Sequence, residues 1–177
     1  MHEAIRPAAS PADFDAFAGL IADYVEWCRA RYRDHPHVVD QVFGYQSLAT
    51  ELETLASSYG PPEGKTLLTL CDGQVCAGGA YRRLAEGSCE MKRLFVRNDV
   101  KGRGIGRRLC TALVDAARDE GFERMRLDTG NLFTEAIAMY ESLGFRRCTP
   151  YRRYPAALMP YLVFMEIPLR DGSSPGD

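Results

Sequence analysis

Apolar positions change their period along the chain. Phe14, Phe17, Leu20, Ile21, Tyr24 and Val25 recur at helical spacing. Ser10-Pro11-Ala12-Asp13 before them offers a capping hydroxyl, a proline suited to the first helical position and an acid for the first turn. The pattern predicts a helix from there to about residue 31, with a short strand at 4–6 ahead of it. Residues 31–42 are polar, contain His35-Pro36-His37 and read as a loop. Leu48, Leu52 and Leu55 predict a second helix over 45–59, ended by Gly60-Pro61-Pro62. The period then falls to two. Strands are expected at 66–71 and 75–82 around the turn Asp72-Gly73, and a third at 89–96 after Glu86-Gly87. In that third strand strict alternation puts Glu90, Lys92, Leu94 and Val96 on one face. Helical spacing returns at Ile105, Leu109, Leu113 and Ala116, up to Gly121. A strand at 125–127, a helix at 135–142 and strands at 145–147 and 162–167 complete the pattern. A run of hairpins followed by strand–helix–strand predicts a mixed α/β sheet.

Length and composition narrow the class. At 177 residues, the chain reads as one domain over 1–169 with a flexible polar tail, RDGSSPGD, over 170–177. Hydrophobic residues at 46% and charged residues at 26% exclude a disordered chain or a coiled-coil rod. A net charge of −2 argues against nucleic acid as a partner. No apolar run is long enough to span a membrane, and the first residues carry no secretory pattern, so a cytoplasmic protein is expected. The six cysteines form no CxxC pair, which argues against structural zinc and any other metal site. They read as reduced, mostly buried thiols.

The near-neutral sum conceals a basic cluster. Lys101-Gly102-Arg103-Gly104-Ile105-Gly106-Arg107-Arg108 joins the third long strand to a helix. Alternate glycines permit a tight path and close approach of a ligand, and free N–H groups at a helix start suit an anion. Spacing narrows the anion. A dinucleotide fingerprint needs glycine where Arg107 stands, and the Walker pattern needs a Gly-Lys-Ser/Thr that is missing. Arg107 and Arg108 in the first helical turn oppose the macrodipole, which makes sense if phosphates dock there. The competing reading is a capped helix with a solvated basic face.

Lys101-x-x-Gly104-x-Gly106 resembles the pyrophosphate-binding signature of the GNAT superfamily, the CoA-dependent N-acetyltransferases, with lysine in place of the usual Gln or Arg. Glu90-Met-Lys-Arg-Leu-Phe-Val96 resembles the family's fourth strand, and Asn131 with Ala138-Met-Tyr-Glu-Ser-Leu-Gly-Phe145 its final conserved block. The three blocks stand in the family's order over about residues 66–148. The resemblance implies a mixed, mostly antiparallel sheet splayed between strands 4 and 5, with helices on both faces. Strand 4 is expected to carry a bulge. Acetyl-CoA is the implied cosubstrate. Main-chain groups of Leu94, Phe95 and Val96 would align the pantetheine arm, and N–H groups of Lys101, Gly102, Arg103, Gly104, Ile105, Gly106 and Arg107 would hold the pyrophosphate. Asn131 would contact the pantetheine. Tyr140 matches the general acid beside the sulfur, and a homodimer is left open.

The chemistry asks for a neutral amine, donors for the carbonyl oxygen and a proton for the leaving sulfur. Tyr140 fits the last requirement, and Glu90 is the candidate base. No histidine lies close to a cysteine in the sequence, so direct single displacement onto a primary amine is preferred over a cysteine intermediate. The acceptor is sought among Tyr24, Trp27, Tyr32, Phe43, Tyr151 and Tyr154, with Asp23, Glu26 or Asp40 for a cation. A regulatory module that binds acetyl-CoA without turnover, and a nucleotide-dependent enzyme, are the competing classes.

Overall fold

The computed structural model describes residues 2–85 and 87–170. The tail beyond Arg170, and Glu86 of the second expected turn, lie outside the described residues. The first helix, α1 (Pro11–Arg31), starts as its sequence requires. Asp13 N–H donates to Ser10 Oγ at 3.2 Å, and Ser10 N–H donates to the Asp13 carboxylate at 3.0 Å. These two bonds satisfy backbone donors that the first turn leaves free. The Arg6 guanidinium also binds Asp13 and, with the backbone donors, holds its carboxyl well below the usual range.

The next segment departs from the expected loop and single helix. Pro36 occupies the first position of α2 (Pro36–Tyr45), inside the predicted loop. Val38, Val39, Val42 and Phe43 form a short apolar stripe whose members pack with Cys28 and Tyr32 of α1. Ser47 then adopts a left-handed conformation, φ 56°, so the chain restarts as α3 (Leu48–Glu53) and α4 (Leu55–Tyr59). The predicted helix over 45–59 is thus broken twice, at Ser47, whose backbone cannot continue it, and again at Thr54 between α3 and α4.

Seven strands follow the order β1 (Glu3–Pro7), β2 (Gly64–Cys71), β3 (Gln74–Ala85), β4 (Ser88–Val96), β5 (Arg124–Gly130), β7 (Leu162–Pro168) and β6 (Arg146–Arg147). Neighbours are antiparallel except β4 and β5. Helices α5 (Ile105–Asp119) and α6 (Thr134–Ser142) cover one face, where Leu109, Leu113, Ile137 and Tyr140 join Met91, Met125 and Met165 in the larger core. On the other face α1 and α4 bury Phe17, Ile21 and Tyr59 against Leu68, Ala80 and Phe95. The expected mixed sheet with helices on both faces is present. The cysteine expectation fails at one place: a disulfide joins Cys71 and Cys76, whose Cα atoms are 5.8 Å apart. The tight turn between β2 and β3 folds the two residues back onto each other. Cys28, Cys89, Cys110 and Cys148 are free thiols.

The strict alternation expected along β4 also fails. In the β3–β4 ladder Gly78 faces Phe95, yet Ala80 faces Lys92, so Arg93 and Leu94 together oppose Gly79. Arg93 takes up the extra residue with φ 59°. This is a β-bulge, and it inverts the faces. Cys89 and Met91 point to the α5 side before it, whereas Leu94 and Val96 do so after it. Glu90 and Lys92 therefore do not share a face with Leu94 and Val96. A side chain at position 79 would collide with the bulge, since a Cβ there would lie 3.3 Å from Leu94 Cα. Arg93 is held by a buried bidentate pair with Glu51 of α3, Nε to Oε1 at 2.7 Å and Nη2 to Oε2 at 3.0 Å. Burial alone would push the Glu51 carboxyl up, but Arg93 more than offsets it and the group titrates below its ordinary value.

Replacing one partner of such a pair strands the other charge. Glu51→Leu is expected to cost about 3–5 kcal/mol, read as a fall in the urea midpoint. Because the folded pKa values of Asp13, Glu51 and Asp128 lie below their unfolded ones, their stabilisation is full above about pH 4.5 and is lost as pH falls through their folded values. The thermal midpoint should therefore hold between pH 5 and 7 and drop on further acidification. An acid-insensitive midpoint would contradict these assignments.

Candidate functional site

The β4–β5 ladder runs only from Ser88↔Arg124 to Glu90↔Arg126. Beyond Glu90 the bulge turns β4 away, and its remaining length has no strand partner on the β5 side. A cleft of about 670 Å³ enters this gap from one direction and a narrow cavity of about 80 Å³ from the other. Tyr24, Leu94, Thr129, Phe133 and Tyr140 line both.

The larger cleft gathers most of the residues expected to hold a phosphorylated ligand. Leu94, Phe95, Val96, Lys101, Gly102, Gly104, Ile105, Gly106, Arg107 and Tyr140 line it. Gly102 and Gly104 have φ 81° and 74°, values that carry a steric cost for side-chain-bearing residues. Gly104 is the N-cap of α5 and offers no capping side chain. The first intrahelical bond there is Arg108 N–H to Gly104 O, so the N–H groups of Ile105, Gly106 and Arg107 precede the helical ladder. The basic side chains are less available than their sequence suggested. Arg108 pairs with Glu3 and also donates to Arg103 O at 3.1 Å. Arg107 donates to Ser142 Oγ. Lys101 Nζ lies 4.4 Å from the Trp27 ring and 5.1 Å from that of Phe95, and burial lowers its pKa. The turn therefore presents main-chain N–H groups and a helix dipole more than an arginine cluster.

Two expected residues stand elsewhere. Arg103 borders a shallow depression beside Cys71 and Cys76. The Asn131 side chain accepts from Tyr32 Oη at 2.8 Å and donates to Pro160 O at 3.2 Å, tying the end of β5 to α1. Tyr140 is buried beside Phe145, with ring centroids 5.5 Å apart, and burial pushes its hydroxyl well above the ordinary tyrosine value. It therefore remains an O–H donor at neutral pH.

Glu90 is fully buried at the base of the splay, on the α1 face. Arg152 Nη2 donates to its two oxygens at 2.8 and 2.6 Å, Arg82 Nη2 and Nε donate to Oε2 at 3.2 and 3.3 Å, and Tyr151 Oη donates to Oε1 at 3.1 Å. Of the aromatics sought for the acceptor, Tyr24, Tyr32 and Phe43 wall the narrow cavity, while Trp27 stands in the cleft. Tyr151 serves Glu90, and Tyr154 donates to Asp128. Asp23, Glu26 and Asp40 lie on the surface, the last two paired with Arg29. His35 and His37 start α2 beside Tyr161. Sequence reasoning missed Gln46, Arg93 and Asp128 in the cavity wall and gave Lys92 no task. Only Asp128 carried a signal, a carboxylate directly after the strand expected at 125–127 and inside the observed β5.

Residues 20–145 match the family model for the GNAT acetyltransferases. An uncharacterized N-acetyltransferase of Schizosaccharomyces pombe is 29% identical over 163 residues, 89% of each chain. A Klebsiella pneumoniae protein assigned as an acyl-CoA N-acyltransferase has a solved structure 28% identical to this chain. It superposes with a TM-score of 0.67 over 95% of this chain and 98% of its own. PaiA N-acetyltransferase of Thermoplasma acidophilum, solved with coenzyme A, shares the fold at 16% identity, with a TM-score of 0.66 over 94% and 98% of the two chains. The chain belongs to the GNAT acetyltransferase family. It is an acyl-CoA-dependent acyltransferase.

The division between main chain and side chain at the glycine turn can be tested. Gly104→Val forces a branched residue into the left-handed region, at about 1–2 kcal/mol, and misdirects the N–H groups behind it. CoA affinity by calorimetry should fall at least tenfold. Arg108→Ala, which removes the partner of Glu3, should leave that affinity within about twofold. The reverse ranking would return the anion site to the side chains.

Proposed function

We propose that the protein transfers an acetyl group from acetyl-CoA to a primary amine by direct attack, within the splay of β4 from β5. The observation that carries this reading is the meeting of a wide cleft and a narrow cavity at Leu94, Thr129 and Tyr140. A long cosubstrate enters from one side, a small acceptor from the other, and the reacting atoms meet at the shared wall. Acetyl-CoA fits the cleft: apolar walls receive the pantetheine arm, and the turn at Gly102 to Arg107 presents N–H groups to the pyrophosphate. Bound there, it supplies the acetyl group and a thiolate leaving group.

The main chain of Leu94, Phe95 and Val96 orients the thioester and donates to its oxygen as charge develops. The neutral amine forms the C–N bond as the C–S bond breaks. Tyr140 gives its proton to the departing sulfur and is reprotonated by the proton the product nitrogen sheds. We assign Glu90 to holding the cavity wall rather than to proton transfer, because Arg152, Arg82 and Tyr151 already occupy its oxygens. Solvent at the mouth then takes the ammonium proton. A cysteine intermediate is disfavoured: Cys28 lines the cavity, yet burial pushes its thiol up to about 12.

CoA release measured over a panel of primary amines tests the reading, with thermal shifts by acetyl-CoA, ATP and NAD as the binding control. Stabilisation by acetyl-CoA alone together with CoA release is expected; binding without release would favour the regulatory module. Tyr140→Phe should lower kcat about a hundredfold while acetyl-CoA affinity holds within about twofold. Wild-type turnover in that variant would remove Tyr140 from proton transfer. Glu90→Gln should destabilise the fold and leave the shape of the pH–rate profile unchanged. A lost basic limb would restore Glu90 as the base.

A further inference from the structure

Lys92 and Asp128 line the narrow cavity, and with Glu90, Arg82 and Arg152 behind them they form a buried charge network that does not balance. Glu90 pairs with Arg82 and Arg152, and Lys92 Nζ lies 3.9 Å from Glu90 and 3.8 Å from Asp128 Oδ1. Three cations thus face two carboxylates. The arginines satisfy Glu90 by hydrogen bonds, but Lys92 Nζ reaches neither carboxylate at hydrogen-bond distance, although its side chain is only 3% exposed. A buried ammonium whose neighbouring carboxylates both stand beyond hydrogen-bond distance is costly. Burial lowers the Lys92 pKa, and the nearby carboxylates only partly counter it. A single anion in the cavity would accept those donors and balance the charge.

The same wall holds the opposite deficit. The Asp128 carboxylate can only accept, so Tyr154 Oη donates to it. Tyr154 Oη must then accept, and it does so from Gln46 Nε2 at 2.7 Å. That fixes the amide orientation and leaves Gln46 Oε1 buried with no hydrogen-bond partner. A buried carbonyl oxygen of this kind calls for an N–H donor. The cavity therefore asks for one anion and one amine, between the apolar side chains of Val38, Val39 and Phe43.

We propose that the acetyl acceptor is a free amino acid with an apolar side chain, its carboxylate bound by Lys92 and its amine received by Gln46 Oε1. This rests on the acetyltransferase reading and narrows its substrate. Polyamines and protein N-termini lack the free carboxylate beside the amine that Lys92 would bind.

Calorimetry on the CoA-saturated protein compares L-phenylalanine with 2-phenylethylamine and L-leucine with 3-methylbutylamine, pairs that differ only in the carboxylate. Each amino acid should bind at least tenfold tighter than its amine, and Lys92→Met should shrink the gap below about threefold. Gln46→Leu should weaken amino acid and amine by similar factors, because both carry the nitrogen. The proposal falls if the amines bind the wild-type protein as well as the amino acids, if no amino acid binds, or if Lys92→Met preserves the gap. Should Lys92→Met fail to fold, the wild-type comparison decides alone. Failure to bind CoA at all would sink the acetyltransferase reading as well, whereas CoA binding without amino-acid preference overturns only the substrate assignment.

Discussion

One extra residue in β4 governs the architecture around the site. Arg93 cannot be accommodated in a regular ladder opposite Gly79, so it leaves the extended region and the strand bends. The bend ends the pairing with β5 after Glu90 and frees one backbone edge over residues 91–96. The buried clamp from Glu51 secures that conformation from the opposite layer. A non-glycine residue in the left-handed region is unfavourable on its own, and here a charge pair and the missing Cβ of Gly79 together over-determine it. The cleft, the cavity and their shared wall all follow from this departure.

The two openings are built by different physics. On the α5 side, the helix start and two left-handed glycines present backbone N–H groups, which are pre-oriented and need no side-chain ordering. The nearby basic side chains are drawn into contacts with Glu3, Ser142 and Trp27. On the α1–α2 side the wall takes Gln46 after α2, Lys92 from β4 and Asp128 from β5, backed by Glu90 from β4, Arg82 from β3, and Arg152 with Tyr154 from the segment before β7. In that low-dielectric setting Arg82, Arg152 and Tyr151 hold Glu90 by hydrogen bonds, whereas Lys92 stands beyond hydrogen-bond distance of both carboxylates.

Local patterns carried much of the fold. The cap at Ser10 and Asp13, the hairpin around Asp72-Gly73, and the amphipathic stripe of α5 are each specified by residues a few positions apart. The glycine turn was legible for the same reason, since its conformational need is local. The segment 31–59 was not. Its polar character masked the stripe of Val38, Val39, Val42 and Phe43, and nothing local announced the left-handed break at Ser47. The faces of β4 were misassigned because alternation assumes a regular ladder, whereas the bulge depends on the strand across from it. Asn131 and Glu90 were picked out by position, but Tyr32, which binds Asn131, lies 99 residues away and Arg152, which binds Glu90, lies 62 residues away.

By itself the sequence determined the first helix and its cap, the mixed sheet with its hairpins, and the glycine turn before α5, because capping, periodicity and glycine conformation act over a few residues. Only the tertiary structure decided the inverted faces of β4, the Cys71–Cys76 bond, the pairing that removes Arg108 from the turn, and the unbalanced network of Glu90, Lys92 and Asp128. Each of these depends on which distant groups share a low-dielectric space. Charge balance and hydrogen-bond satisfaction are properties of that space and not of any stretch of chain.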